Sequence, residues 1–319
     1  MECSRRAVLA LAGSAGIGGV AGCLGGGSDY ENGWNQANSD TDDALQDVAA
    51  LENDAMAVGL DGTVIKRLSD GEWSKQDTAP GASDETHIRA IAPTSEYERA
   101  WFAGDDGLVG MYDSHGHFED HSQPLKRTKR FVDVAVDGAA GGEDIYLVDD
   151  EGRIVRGSKD QQGDVTWDMG KEPGEGAPIA ITFTSDNFGY TCSDEGGAFQ
   201  RVGQGWERVG VPGVQDGLTD VAGHEESLLD VASAKGNIHR YNGYDWREIE
   251  LGEHPIDAMH RSGRHGLAVS SDGAVYALNR SWELSLDGLP EGLNGATTGT
   301  ETGDVFCVGN NGFLLYREK

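Results

Sequence analysis

LTDVAGHEESLLDVASAKGNIHRYNGYDWREI, residues Leu218 to Ile249, reads as one complete antiparallel sheet. Leu218 to Ala222 is a short apolar strand and Leu228 to Ala232 a second. Lys235-Gly236 then turns tightly into Asn237 to Tyr241, and Asn242-Gly243 turns into an outer strand opened by Trp246. Two-residue turns ending in glycine are the strongest short-range hairpin signal, because glycine supplies the positive φ such turns need.

The same unit recurs outward in both directions. Turns between second and third strands align on Gly62, Gly107, Gly152, Gly196, Gly236, Gly273 and Gly312, at spacings of 45, 45, 44, 40, 37 and 39 residues. Periods of this size signal a propeller or a solenoid. The preceding residue is Asp61, Asp106, Glu151, Glu195, Lys235, Asp272 or Asn311.

First strands align as Leu45 to Ala49, Ile88 to Ala92, Phe131 to Val136, Ile179 to Phe183, Leu218 to Ala222, Ile256 to Met259 and Leu293 to Thr297. They are short, apolar and small, as crowding around an axis demands. Outer strands open with Trp73, Phe118, Trp167, Trp206, Trp246 and Trp282, one fewer than the seven repeats. Trp34 lies 11 residues before Leu45, at the spacing of the other outer aromatics from the next first strand. An N-terminal strand would therefore complete the last sheet and leave no open edge. The expected fold is all-β: a seven-bladed β-propeller over residues 34–319, its last blade closed by the N-terminal strand.

The residues ahead of it read as targeting. Ser4-Arg5-Arg6 precedes a mildly apolar run, Ala7 to Gly22, too short and glycine-rich to span a bilayer stably. Arg5-Arg6 resembles a twin-arginine export signal. Val20-Ala21-Gly22-Cys23 resembles a lipobox, whose cysteine thiol receives a lipid. Residues 1–22 are thus expected to be a signal peptide and 23–33 a lipidated linker, with the protein anchored to the extracellular side of the cell membrane. Of the remaining cysteines, Cys3 leaves with the signal, while Cys192 and Cys307 stand in second strands three repeats apart and are read as small buried hydrophobes without a disulfide.

Aspartate and glutamate number 55 against 25 lysines and arginines, a formal charge of −30. Such a charge repels itself in dilute buffer, but at molar salt the Debye length falls to about 3 Å and the repulsion is screened. The composition resembles that of haloarchaeal proteins. It disfavours a nucleic-acid partner.

Val58 to Trp73, VGLDGTVIKRLSDGEW, resembles the repeats of BNR/Asp-box propellers, particularly the photosystem II assembly-factor-like and sialidase-like repeat proteins. The resemblance covers all seven repeats, although the Asp-box is degraded: Ser69-Asp70-Gly71 with Trp73 is shortened, and Asn242-Gly243 with Trp246 keeps only the turn and the tryptophan. That broad group includes both hydrolases and non-catalytic scaffolds, so the likeness implies fold more than activity. A sialidase-like enzyme would need an arginine cluster gripping a carboxylate and a Tyr/Glu nucleophile. Among first strands only Arg89 carries a guanidinium.

Three further groups have two readings each. Asp47, Asp133 and Asp220 share one column of the first strands, alternating with Ala90, Ala180 and Ala258. They ring a cation in the channel, or they accept backbone donors from neighbouring blades. His117, Glu119 and His121, with His115 before them, fall on one face of an outer strand; they offer zinc-type ligands or form a polar edge. Lys126-Arg127 and Lys129-Arg130, between the second and third repeats, form a contact site for an acidic ligand or balance Asp113, Glu119 and Asp120. Taken together, the sequence favours an exported, lipid-anchored, monomeric, non-catalytic scaffold binding an unidentified protein or other ligand through Arg89 and the basic loop. The rival is a carbohydrate-active hydrolase or lectin using the same face. No catalytic or metal residue and no cofactor is assigned.

Overall fold

The hairpins assemble as seven four-stranded antiparallel sheets. The computed structural model describes residues 29–318, apart from 53, 77–78, 80, 84, 114–115, 185, 212–213, 215–216, 253 and 300–303. The expected signal residues Arg5 and Arg6, the expected lipid site Cys23 and His115 lie outside the described residues.

Blade 1 shows the pattern: Leu45–Ala50 innermost, then Ala55–Gly59, Val64–Arg67 and Trp73–Lys75. The inner strands run from an upper end, which carries the Gly62-type hairpins and the loops between blades, to a lower end. Middle strands such as Ala55–Gly59, Gly189–Ser193 and Val305–Gly309 are buried along their whole length. They are apolar on both faces because each sheet is sandwiched between two others. The core accordingly divides into clusters that each join two adjacent blades: Val58 and Met56 with Ile88 and Phe102, for example, or Leu45 and Trp73 with Phe306 and Leu314.

The upper hairpins fall into two kinds. In blades 1, 2 and 7 the residue before the glycine is also left-handed, as at Asp61 (φ 56°) with Gly62 (φ 68°) and Asn311 (φ 53°) with Gly312 (φ 66°). In blades 3 to 6 only the glycine has positive φ, Asp272 included. In blades 3, 4 and 6 a side chain at the turn's start ties the loop, as where Asp149 Oδ1 accepts the N–H groups of Glu151 and Arg153 at 3.0 and 2.8 Å. Asp and Asn tolerate the left-handed region, whereas Glu151, Glu195 and Lys235 are spared it.

The ring is closed by Asn35–Ala37, which pairs antiparallel with Leu314–Arg317. Trp34 precedes it at the lower rim, fully buried between blades 6 and 7. Its Nε1–H donates to Ser285 Oγ at 3.0 Å, and the Arg317 guanidinium lies 4.8 Å from its ring centre. The docked segment begins before Trp34, since Asp29 bridges to Asn35 and the Asn32 amide donates to the Ser285 carbonyl at 2.8 Å.

Several strand limits differ from the sequence reading. The inner strand of blade 6 is Ala258–Ser262 rather than a run from Ile256, and the outer strands of blades 3 and 4 begin at Val165 and Gly205, ahead of their tryptophans. Trp34→Ala removes the largest side chain from the closing seam and should cost about 3–5 kcal/mol. A thermal or denaturant melt checks this; an unchanged midpoint would mean the N-terminal strand does not hold the ring.

Candidate functional site

The inner strands enclose an axial channel with a cavity of about 310 Å³. Its upper mouth is shaped by a feature repeated around the ring. In six blades the pairing of the inner strand shifts register between its first and third residues: Leu45/Asp47, Ile88/Ala90, Phe131/Asp133, Pro178/Ala180, Leu218/Asp220 and Leu293/Gly295. A bulge adds one unpaired residue and re-aims its side chain. The extra residues are Gln46, Arg89, Val132, Ile179, Thr219 and Asn294. Some reach the next blade: Asn294 donates to the Leu45 carbonyl at 2.8 Å and Thr219 to the Ile256 carbonyl at 2.5 Å. Together with Arg130, Asp257 and Ser271, four of them line a shallow polar hollow.

One layer below sits the aspartate column. Asp47 accepts its own neighbour's amide, Val48 N–H, at 2.8 Å and the Ile91 N–H of blade 2 at 2.9 Å. Asp133 accepts Val134 N–H at 2.8 Å and Ile181 N–H of blade 4 at 2.7 Å. Asp220 repeats the pattern with Val221 at 2.7 Å and Met259 of blade 6 at 2.5 Å. The three carboxylates thus take backbone donors from neighbouring blades. Burial pushes Asp47 and Asp220 up to about 7, against the two amide bonds that favour ionisation. Burial also raises Asp133, well above the usual carboxylate range, with the Asp220 and Asp47 charges reinforcing it.

At the top, Arg89 is held by Asp105, which accepts from Nε at 3.1 Å and from Nη2 at 3.0 Å. Arg130 Nε meets the same carboxylate at 3.0 Å. Burial works against ionisation at Asp105, yet the Arg89 bonds and the two guanidinium charges hold it below the usual range. Arg127 pairs with the fully buried Asp149, and Lys129 Nζ lies 2.7 Å from Glu151. The acids that balance the basic loop are therefore Asp105, Asp149 and Glu151, not Asp113, Glu119 and Asp120. They were missed because Asp105 lies in the upper hairpin of blade 2 and Asp149 and Glu151 in that of blade 3, and only the assembly of the two blades brings both hairpins against the loop. Lys126 alone of the four has no ion pair among the described residues. Gln123, Leu125 and Lys126 all have positive φ, at 57°, 57° and 61°, and Leu125 is 45 % exposed. Non-glycine residues take that conformation only under constraint from their surroundings.

The histidine-rich edge is used locally. His121 Nε2 contacts Glu119 at 3.1 Å and its ring lies 4.8 Å from that of Trp101, while Lys159 binds Glu119 at 2.6 Å and His117 pairs with Asp113. No group of three or more His, Cys, Asp and Glu side chains stands close enough to hold a metal ion among the described residues. Cys192 and Cys307 are buried free thiols, both raised by burial.

No family model and no curated protein matches this chain. Solved structures do resemble it in shape. YCF48 bound to a D1 peptide has a TM-score of 0.72 at 14% identity, covering 91% of this chain and 97% of its own. YCF48 from Cyanidioschyzon merolae has 0.70 at 14%, covering 90% and 99%. A catalytically inactive virginiamycin B lyase from Staphylococcus aureus, with quinupristin, has 0.73 at 12%, covering 90% and 99%. At such identities the likeness shows the propeller fold alone.

Between about 3.8 and 7 the folded protein holds protons on Asp47 and Asp220 that the unfolded chain releases. This ring therefore adds stability as the pH falls through 7 and subtracts it as the pH rises. His121, His224, His239 and His260, lowered chiefly by burial, oppose this only below the ordinary imidazole value of 6.5. The denaturation midpoint should accordingly rise from about pH 8 to about pH 6.5, and Asp220→Ala should flatten the rise. An equally steep rise in the variant would place its source elsewhere.

Proposed function

We propose that this chain is an exported, lipid-anchored propeller acting as a non-catalytic scaffold that holds a protein segment on its upper face. The observation that carries this reading is the turn from Gln123 to Lys126. Three residues are kept left-handed there, and the result is an apolar Leu125 beside an exposed Lys126 on the loop that leads on to Arg130, one of the groups that line the hollow with amides, a hydroxyl, a carboxylate and a second guanidinium. Mixed donors, acceptors and one apolar tip suit the backbone and side chains of a peptide. YCF48, a propeller of the same shape, was solved with a D1 peptide.

The carbohydrate-active reading requires Arg89 to converge with a tyrosine and a free carboxylate. Arg89 is instead bound through two nitrogens to Asp105, and Asp257, the carboxylate of the hollow, accepts Ser271 N–H at 2.6 Å. Similarity in shape to a lyase does not alter this, since the fold hosts many chemistries.

The orientation follows from chain length. Five residues separate Cys23 from Asp29, an extended span of at most about 22 Å over six steps of the chain. Asp29 docks at the lower rim beside Trp34, so a lipid on Cys23 would turn the lower end to the bilayer and the upper face outward.

Two measurements test the proposal. Cys23→Ser should move the protein from the membrane to the soluble fraction; retention through a high-salt wash would remove the anchor. A photo-crosslinker at Thr128 should yield a protein adduct on intact cells at high salt, reduced about tenfold, or 1.4 kcal/mol, by Arg89→Ala with Arg130→Ala. Adducts from a crosslinker at His265, on the lower end, and none from Thr128 would overturn the assignment of the binding face.

A further inference from the structure

The lower mouth of the channel holds a buried positive charge that its neighbours leave unbalanced. Asp230, fully buried in blade 5, accepts Arg240 Nε at 2.7 Å and Nη2 at 2.8 Å. From blade 6 it also accepts Arg261 Nη1 at 3.0 Å and Trp282 Nε1–H at 3.1 Å. One carboxylate therefore serves two guanidiniums and leaves one positive charge over. The Arg261 side chain is only 7 % exposed. Its Nη2 reaches the Gly263 carbonyl at 3.3 Å, and its Nε is buried with no partner among the described residues. Burial, the largest influence, lowers Arg261, with Asp230 opposing and Arg240 adding to the effect.

A second incomplete group faces the same cavity. His224, at the lower end of blade 5's inner strand, has a buried Nδ1 without a partner, while its Nε2 lies 3.3 Å from the exposed Glu225. Beside them His260 accepts Thr298 N–H on Nδ1 at 3.1 Å, which leaves the proton of the neutral ring on Nε2. A surplus buried charge and an orphaned buried polar atom each destabilise the folded state. Native structures rarely keep both at one place without something to answer them.

We infer that the lower mouth of the channel, between Arg261 and His224, is a binding site for a small oxyanion of carboxylate or phosphate type. The Nε edge of a guanidinium presents two parallel donors, Nε–H and one Nη2–H, in the fork that matches two oxygens of such an anion. The imidazole supplies a third contact as imidazolium, with Nε2–H toward Glu225 and Nδ1–H toward the anion. The bound charge neutralises the excess left on the Arg240–Asp230–Arg261 group. Glu225, the other charged neighbour, is exposed; its charge acts favourably on Arg261 but it makes no ion pair with it among the described residues. This site is separate from the upper face and does not depend on its reading.

Inorganic phosphate and acetate should each be titrated at constant ionic strength, following the thermal midpoint and the Arg Nε–H resonances in a 15N–1H spectrum. The expected result is a saturable rise in midpoint with at least one of the two, shifting a single Nε–H resonance. Arg261→Gln should weaken the affinity at least tenfold. Should Arg261→Gln fail to fold, His224→Phe carries the test, because it leaves the Asp230 pairs intact; a loss of about threefold or more is expected. Phosphatidylglycerol vesicles form a further arm: a response to vesicles without one to either free anion assigns a lipid headgroup, and a response to free anions alone assigns a soluble ligand. No saturable response in any arm, or unchanged affinity in His224→Phe, would overturn the site.

Discussion

An inner strand of a propeller has one edge with no strand beside it, and the amides on that edge must find acceptors inside a narrow channel. Here three carboxylates do the work of a missing strand. Each aspartate takes the amide that follows it and the equivalent amide of the next blade, so Val48, Ile91, Val134, Ile181, Val221 and Met259 are all served. An acceptor with two oxygens that serves two blades is needed only at every second blade. That explains the alternation of aspartate and alanine, and an odd ring must break it once. The break falls at Gly295 of blade 7. A Cβ there would lie 2.7 Å from the Asp47 Cα, so even an alanine would push blade 7 away from blade 1.

This arrangement gives the protein two separate ways of carrying its −30 charge. Outside, acids either face solvent, where salt screens them, or are held by arginines, as at Asp105 and Asp137, whose Oδ2 accepts Arg201 Nη1 at 2.6 Å. Within the channel no arginine pairs with the three aspartates among the described residues and ions screen poorly, so burial lifts their pKa values and the charge is shed by protonation. Salt and pH therefore act on different parts of the same molecule.

The fold was legible because it depends on local chemistry that repeats. The Gly62-type turns need positive φ, the outer strands need a large aromatic, and Trp34 stands at the spacing that six other aromatics define. The alternation of Asp47, Asp133 and Asp220 with alanine was equally visible, and backbone capture was one of its two readings. The bulges were not legible. A bulge shows only as one residue too many opposite a partner strand, and in the sequence Gln46 or Asn294 looks like any other position of a short strand. Arg89 was singled out for its charge, but its place at the mouth is set by that extra residue. The partners of the basic loop escaped for a related reason, since Asp149 and Glu151 belong to a hairpin some twenty residues further along that only the curvature between blades brings underneath. The Arg261 group was invisible because its members come from five strands of two blades.

The two ends of the channel differ in a way that bears on what can enter it. At the top, Arg89 and Arg130 share Asp105, and both remain partly exposed, so the second guanidinium is left to solvent at little cost. At the bottom, Arg240 and Arg261 share Asp230 in the same two-to-one ratio, but Asp230 is fully buried and Arg261 nearly so. The same stoichiometry is thus solvated at one end and stranded at the other. A cation entering from below meets the Arg261 charge before it reaches the aspartates, and an anion that passes the lower mouth meets three aspartates that repel it once a rise in pH takes off their protons. With the aspartates ionised, neither sign of charge has a favourable path from end to end. The two mouths thus differ in charge and solvation although one cavity joins them, and a ligand held at one mouth need not compete with a ligand held at the other.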